Sequence, residues 1–516
     1  AKGKVADGAA NFEEYLKSRW SKLYSSLSRD SSQAESGDNF AAFWRKSVER
    51  GGYFAAPTTE VIPGSKVTVD TASFGAKFAS ATFDAKDVVS DRSLILMPFP
   101  AVKSFDGRAA NRPWMMEVPD PMSQTVWDAW AEIHPKTAHR LGLAKGDLVT
   151  LRNFYGEVNV PIYLTDHVHH DVVAVPMGYG HTAGGRYAQQ IQGANVLTLL
   201  PPVKSGSAAG ASGAVPLLST RVTVLRGPGR AELVNVMGSD SQLGRELART
   251  TMISGAAVNH DSDHHDSSHG HAAHGGHGDH GEVKQMYHQR EHPLFRWGMA
   301  VDLSACTGCS ACVVACYSEN NIPVVGKDAQ SKGREMSWLR IERYFDPVKG
   351  EDGAQEFQVS FLPMMCQHCG NAPCEPVCPV FATYHNDEGL NAMVYNRCVG
   401  TRYCSNNCSY KVRRFNWYEY DLPEPMKLML NPDVTKRSVG VMEKCTFCVQ
   451  RISEAKDHAK DEGRMVRDGE VQPACVQSCP TQALAFGNLN DPESKVSKLA
   501  AGDRAVSYTH LRAPRD

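Results

Sequence analysis

Apolar positions change their period along this chain, and each change marks a different kind of structure. In NFEEYLKSRWSKLYSSL (11–27) and DNFAAFWRKSVERGG (38–52) they recur at helical spacing, which predicts two helices. Asp38 is the candidate N-cap of the second and Gly51 its stop. Ser, Thr, Gly and Pro take over between and after them, so residues 1–90 read as a helical and irregular connecting segment. From 91 to 235 the pattern turns to β. SLILMPF, DLVTLRNF, EVNVPIYL and VVAVPM are β-branched runs bounded by Gly, Pro and Asp, and NFYG (153–156) stands where a hairpin should close. EIHPKTAHRLGL holds one short helix, with Pro135 suited to its first turn and Gly142 to its end. Short strands with helical excursions predict a small β-barrel, not a parallel doubly wound sheet.

Residues 236–292 read as a linker. Its 254–282 stretch contains NHDSDHHDSSHGHAAHGGHGDHGE, where eight of the chain's 20 His sit among Gly, Ser, Asp and Ala. Such a composition buries too little apolar surface to offset the entropy of ordering. It reads either as a solvated tether or as a flexible set of imidazoles for Zn, Ni or Cu. The composition shifts again at EHPLFRWGMAVDLSAC, and residues 293–490 form a last domain, followed by a tail over 491–516. The final SYTHLRAPRD (507–516) follows no pattern of that domain and reads as an appended or mis-assembled segment. The fold class is therefore α+β, a β-barrel followed by a separate cysteine-rich domain.

Charge excludes one class of partner. With 55 Lys and Arg against 57 Asp and Glu, no global basic field exists for nucleic acid. Apolar runs such as VVAVPMGYG (172–180) are too short to cross a bilayer, so membrane contact is expected through a partner only. The chain opens on AKGKVADGAA, without Met or a signal pattern; this reads as a processed or truncated start and says nothing about compartment.

All 15 Cys lie between Cys306 and Cys479. They form four groups: Cys306, Cys309, Cys312 and Cys316; Cys366, Cys369, Cys374 and Cys378; Cys398, Cys404 and Cys408; and Cys445, Cys448, Cys475 and Cys479. The underlying form is C-x2-C-x2-C-x3-C, in which three thiolates on one loop cap one iron–sulfur cluster and the fourth ligates its partner. In the third group Thr401 stands where a Cys is expected. Zinc is the competing reading of any C-x-x-C pair, but a tetrahedral ion needs two separated pairs rather than three or four crowded thiols. Disulfides between such close neighbours have poor geometry.

The crossover rule pairs the first group with the fourth and the second with the third. Three [4Fe–4S] clusters then fall on Cys306/Cys309/Cys312/Cys479, on Cys445/Cys448/Cys475/Cys316 and on Cys366/Cys369/Cys374/Cys408. Cys398, Cys404 and Cys378 remain for one [3Fe–4S] cluster, because a neutral hydroxyl at Thr401 is a poor ligand for the fourth iron. A complete cubane with an oxygen on that iron is the alternative. Nested pairs place the clusters in a row, which is a wire. Lys411, Arg413 and Arg414 form a basic run beside the third group; it reads as a modifier of the nearby cluster, a docking point, or a solvated face. No C-x-x-C-H, Walker A or G-x-S-x-G motif occurs, so no haem is expected, and no catalytic residue is assigned. GYGHTA (178–183) imitates a dinucleotide fingerprint but lacks a βαβ setting and is better read as a barrel loop.

RWGMAVDLSACTGCSACVVACYSENNIPVVGK, MCQHCGNAPCEPVCPV, YNRCVGTRYCSNNCSYKVRRFNWY and GVMEKCTFCVQRI resemble the four-cluster electron-transfer subunits of the molybdopterin oxidoreductase superfamily. The nearest resemblance is to the fused iron–sulfur subunit of bacterial alternative complex III. PWMMEVPDPMSQTVWDAWAEIHPKTAHRLGLAKGDLVTLRN resembles the double-psi-like C-terminal domain of molybdopterin enzymes. This resemblance implies a metal-free barrel without molybdenum and a ferredoxin-like four-cluster domain, in a chain truncated at its N-terminus. It further implies a polytopic quinol-binding membrane subunit and c-type cytochromes as partners, at the periplasmic face of the bacterial inner membrane. The implied function is a non-catalytic relay from quinol to a cytochrome c-type acceptor. The iron–sulfur subunit of a molybdenum oxidoreductase, of polysulfide or DMSO reductase type, is the alternative, and a zinc-binding scaffold a third.

Overall fold

The computed structural model describes residues 12–27, 39–49, 89–181, 193–201, 217–245, 247–248, 290–349, 355–502 and 505. Asp38, Gly51, the His-rich 254–282 stretch, most of AGGRYAQQIQG and the 507–516 segment lie outside them. The chain divides into two units, 1–81 and 82–516.

In the first unit, helices α1 (Phe12–Leu27) and α2 (Phe40–Glu49) form where helical spacing predicts them. They meet through aromatic rings: Trp20 lies edge-on to Trp44 at 5.7 Å and Tyr24 sits 5.2 Å from Phe43. At the start of α2, Asn39 Oδ1 accepts the Ala42 N–H at 3.0 Å, as a capping side chain does.

The second unit begins with a closed barrel. Its strands are β1 (Ser93–Pro100), β2 (Ala131–Ile133), β3 (Asp147–Arg152), β4 (Glu157–Leu164), β5 (Val172–Met177) and β6 (Arg221–Arg230). Around the barrel the order is β1-β5-β2-β4-β3-β6. β1 runs parallel to β5 and β2 parallel to β4, while the other neighbours are antiparallel. Helix α3 (Pro113–Glu117) and helix α4 (Pro135–Leu141) are the excursions. α4 starts on Pro135, with His134 accepting the Lys136 N–H, and ends at Gly142 in the left-handed region (φ 68°). The β3–β4 hairpin closes at NFYG, where Asn153 Oδ1 accepts the N–H groups of Tyr155 and Gly156. Inward residues such as Leu94, Leu96, Leu151, Ile162, Val173 and Val224 are excluded from water.

The cysteine-rich region is built from paired strands and short helices. β7 (Trp297–Val301) pairs with β14 (Leu484–Asn488), and β8 (Arg340–Lys349) forms a long hairpin with β9 (Gln355–Met364). β10 (Thr383–His385) pairs with β11 (Asn391–Met393), and β12 (Arg414–Phe415) with β13 (Met442–Glu443). Its helices are α5 (Ala311–Glu319), α6 (Lys327–Ser331), α7 (Tyr403–Asn406), α8 (Val449–Asp461), α9 (Ala474–Gln477) and α10 (Lys495–Ala500). Trp297 stacks between Phe295 and Phe486 at 4.9 and 5.5 Å.

Two boundaries move. α10 belongs to this region and not to a tail, because Ser494 caps it and donates to Asn488 O at 2.9 Å. The start of the expected linker is clasped by β8: Phe345 N–H donates to Asp240 O at 2.8 Å, and buried Arg343 pairs with the Asp240 carboxylate at 2.9 Å.

Candidate metal centres

The structure brings the thiols together in four sets. Cys306, Cys309, Cys312 and Cys479 lie within electrostatic reach of one another, as do Cys316, Cys445, Cys448 and Cys475. Cys366, Cys369, Cys374 and Cys408 line a hollow of about 370 Å³. Cys378, Cys398 and Cys404 line another of about 300 Å³, and Thr401 shares its wall.

Local backbone makes each set possible. Cys306 and Cys309 of the first set leave a loop that turns through Gly308 (φ 66°); a Cβ there would stand 2.5 Å from the Phe361 ring. Cys312 and Cys316 then ride on α5, one turn apart, so Cys312 faces the first set and Cys316 the second. Gly400 does the same beside Thr401, where a Cβ would meet Gly440 O at 2.6 Å. Sulfur-directed donors surround the sets. Ala483 N–H donates to Cys479 Sγ at 3.2 Å, Phe447 N–H to Cys445 at 3.4 Å, Ala382 N–H to Cys378 at 3.2 Å and Met442 N–H to Cys398 at 3.4 Å.

The sets follow one another in a row. Cys316 and Cys475 of the second lie near Cys312 of the first, and Cys445 of the second lies near Cys366 of the third. Arg413 lines the hollows of both the third and the fourth. Six thiols are half-buried: Cys306, Cys309 and Cys479 at one end, Cys378 and Cys398 at the other, and Cys408 in the third set. Every thiol of the second set is buried.

Burial pushes the Cys312 and Cys369 thiols up to about 12, and neighbouring thiolates add to the rise. Burial opposes ionisation at Cys378 too, but N–H groups of Ala382, Val380 and Thr383 outweigh it and lower that thiol. Thiolates packed this closely and this dry need cationic metal to ionise together. All 15 thiols are free, grouped by fours and one three, so the donor set fits iron–sulfur clusters better than isolated zinc ions.

Comparison with known proteins agrees with this chemistry. Residues 94–216 match the Molydopterin dinucleotide binding domain, and residues 305–382 and 357–423 each match a 4Fe-4S dicluster domain. The chain is 45% identical over 208 residues to the iron–sulfur cluster-binding subunit of menaquinone reductase from Nitratidesulfovibrio vulgaris, covering 40% of this chain and 80% of that one. It belongs to that iron–sulfur subunit family. The B subunit of polysulfide reductase from Wolinella succinogenes is 35% identical over 206 residues, 40% of this chain and 83% of its own. Among solved structures, acetylene hydratase from Pelobacter acetylenicus aligns at 17% identity and a TM-score of 0.19, over 26% of this chain and 18% of that enzyme. What sets this chain apart from a bare iron–sulfur subunit is the barrel joined ahead of the dicluster region.

In this family member the basic run at 411–414 splits three ways. Lys411 is exposed and donates to Asn406 O, Arg414 pairs with Glu335 at 2.6 Å, and Arg413 is buried among the thiols. Sequence reasoning missed the residues that support the sets. Asn320 Nδ2 lies 3.6 Å from Cys316 Sγ and 3.8 Å from Cys448 Sγ, and buried Lys444 donates to Cys445 O at 2.8 Å. Buried Arg437 pairs with Glu443 at 2.9 Å, and Trp338 donates to the same carboxylate. Nothing in the spacing of these residues marks them; only the Cys motifs next to Asn320 and Lys444 pointed to the neighbourhood.

Proposed function

We propose that this chain is the electron-relay subunit of a membrane-bound, quinone-linked oxidoreductase of the molybdopterin type, holding three [4Fe–4S] clusters and one [3Fe–4S] cluster. Cys306/Cys309/Cys312/Cys479, Cys445/Cys448/Cys475/Cys316 and Cys366/Cys369/Cys374/Cys408 would hold the cubanes, and Cys398/Cys404/Cys378 the three-iron cluster. One observation carries this reading: all 15 thiols gather in four neighbouring sets, the second of them wholly buried. Bound there, iron–sulfur clusters supply one-electron transfer without making or breaking bonds to a substrate. The chain's own residues fix the spacing, keep water from the middle of the row and aim N–H donors at sulfur.

The relatives support the setting, one being a menaquinone reductase subunit and the other a polysulfide reductase subunit. No described helix is long and apolar enough to cross a membrane, so the reading places membrane contact on a partner.

The fused barrel favours a second reading, alternative complex III. There quinol would be oxidised in a polytopic partner and electrons would enter beside Cys378, Cys398 and Cys404. They would leave to a c-type cytochrome on the periplasmic side. Metal and haem analysis of the purified complex separates the two. Stoichiometric molybdenum supports the first; haem c without molybdenum supports the second. Both expect about fifteen irons per chain and an EPR signal from a [3Fe–4S] cluster that Thr401→Cys converts to a cubane signal. A colourless protein holding zinc overturns both.

A further inference from the structure

Among the described residues, Arg413 is a buried cation with no carboxylate to meet it. It is 4% exposed. Its NH1 donates to Cys374 Sγ at 3.3 Å and to Asn391 Oδ1 at 3.2 Å, and its NH2 reaches Met393 Sδ at 3.2 Å, while Nε has no hydrogen-bond partner. The contrast with Arg437 is direct, since that guanidinium has the Glu443 carboxylate at 2.9 Å. Glu375 comes near Arg413 only through Asn391, and its oxygens serve Arg290 at 3.1 Å, His385 and the Asn391 amide. Burying an unpaired guanidinium is costly, so the site must supply negative charge of another kind. The groups that feel this charge most are Cys374, Cys404 and Cys366, which belong to two different sets.

Resting on the relay reading above, we propose that Arg413 is a positioning residue that acts as one shared counter-charge for the third and fourth centres. Its charge favours the more reduced, more negative state of each and so raises both midpoint potentials together. Asn391 and Met393 hold the fork in place between them. The interaction weakens with distance, so the first and second centres feel it least.

EPR-monitored potentiometry on the whole purified complex tests this. Arg413→Gln is expected to shift the midpoint potentials of the third and fourth centres downward while the first and second hold, with iron content unchanged. Arg413→Lys, which keeps the charge, should restore most of the shift. Potentials that stay put in Arg413→Gln, or that move alike at all four centres, overturn the inference. If Arg413→Gln fails to load its centres, the wild-type complex labelled with 15N-arginine decides: a hyperfine coupling from guanidinium nitrogen is expected on the third or fourth signal, and its absence overturns the inference. A wild-type complex without iron signals sinks the relay reading and this one with it. Intact signals with unmoved potentials sink this one alone.

Discussion

The barrel and the cysteine-rich region keep their chains in place by different means. Between 93 and 230 the strands close on hydrocarbon: Leu94, Leu96, Val149, Leu151, Ile162, Val173, Val175, Val222 and Val224 are almost entirely shielded from water, with charged groups such as Lys103, Glu117, Asp128 and Asp147 buried around that core. Each such side chain contributes about 1.5–3 kcal/mol on burial, and the closed sheet leaves no open edge. Between 297 and 500 the strands pair only in twos, and two of them have just two residues. Its interior packs Val313, Ile322, Met336, Trp338, Leu339 and Phe486 together with Arg413, Arg437, Glu443, Lys444, Asn416, His368 and nine buried thiols. An apolar interior pulls a sheet closed without help. Buried thiols and ions carry a cost that bound metal would offset, which ties the second region's fold to its chemistry more closely than the barrel's.

Stripping the metal should expose that difference most strongly. Chelation under reducing conditions is expected to release hydrogen-exchange protection throughout residues 366–448, while the amides of β1–β6 stay protected. Equal loss in both regions would mean that the barrel, too, leans on the metal centres.

The reverse experiment weakens the barrel. Leu151 is fully buried there, and Leu151→Ala should cost about 2–5 kcal/mol through lost transfer energy and the cavity left behind. A lower melting transition is expected, with the EPR signals of the iron centres unaltered. Signals that disappear along with the transition would show a single cooperative unit.

The two regions were also unequally legible in the sequence. β1, β3, β4 and β5 announced themselves as β-branched runs, and Pro135, Gly142 and NFYG marked a helix and a hairpin by local chemistry alone. β2 did not, since three residues cannot show a period. β6 ends in RGPGR, with no β-branched residue to mark it; a Cβ on Gly227 would stand 3.0 Å from Leu148 O, so glycine lets this strand lie close to β3. The cysteine motifs were legible because ligand spacing within one loop is a local property, and Thr401 stood out against that spacing. Arg413 and Arg414 are adjacent and chemically alike, so no pattern could tell which one turns inward. Packing of β12 against β13 decides it. The clasp of residues 236–248 on β8 is likewise long-range and leaves no local mark.

The smallest effect is expected where the two regions meet. Glu117 on α3 is fully buried, and its Oε1 accepts the Val325 and Gly326 N–H groups at 2.5 and 2.6 Å, while its backbone oxygen accepts from Gln330. Trp114 and Trp127 flank it, donating across the same seam to Ile322 O and to Gln330. Burial holds the carboxyl up to about 8 against an ordinary 4.5; the two N–H groups and the Tyr317 hydroxyl oppose the rise and Glu335 adds to it. Between those values the native state binds a proton that the unfolded chain does not. Stability from this group is therefore complete below about pH 4.5 and falls as pH climbs to about 8, by no more than about 1.4 kcal/mol per unit. Lys103, buried in the barrel and lowered to about 8, works in the opposite sense, and Glu132, raised to about 7, in the same one. Only the difference between wild type and Glu117→Gln isolates the seam. Denaturation of the loaded protein at pH 5.5 and 7.5 should show wild type losing stability relative to the Gln variant as pH rises. Parallel behaviour of the two would mean that Glu117 is ionised in the native state, and the seam would then be an anion site built on two backbone amides.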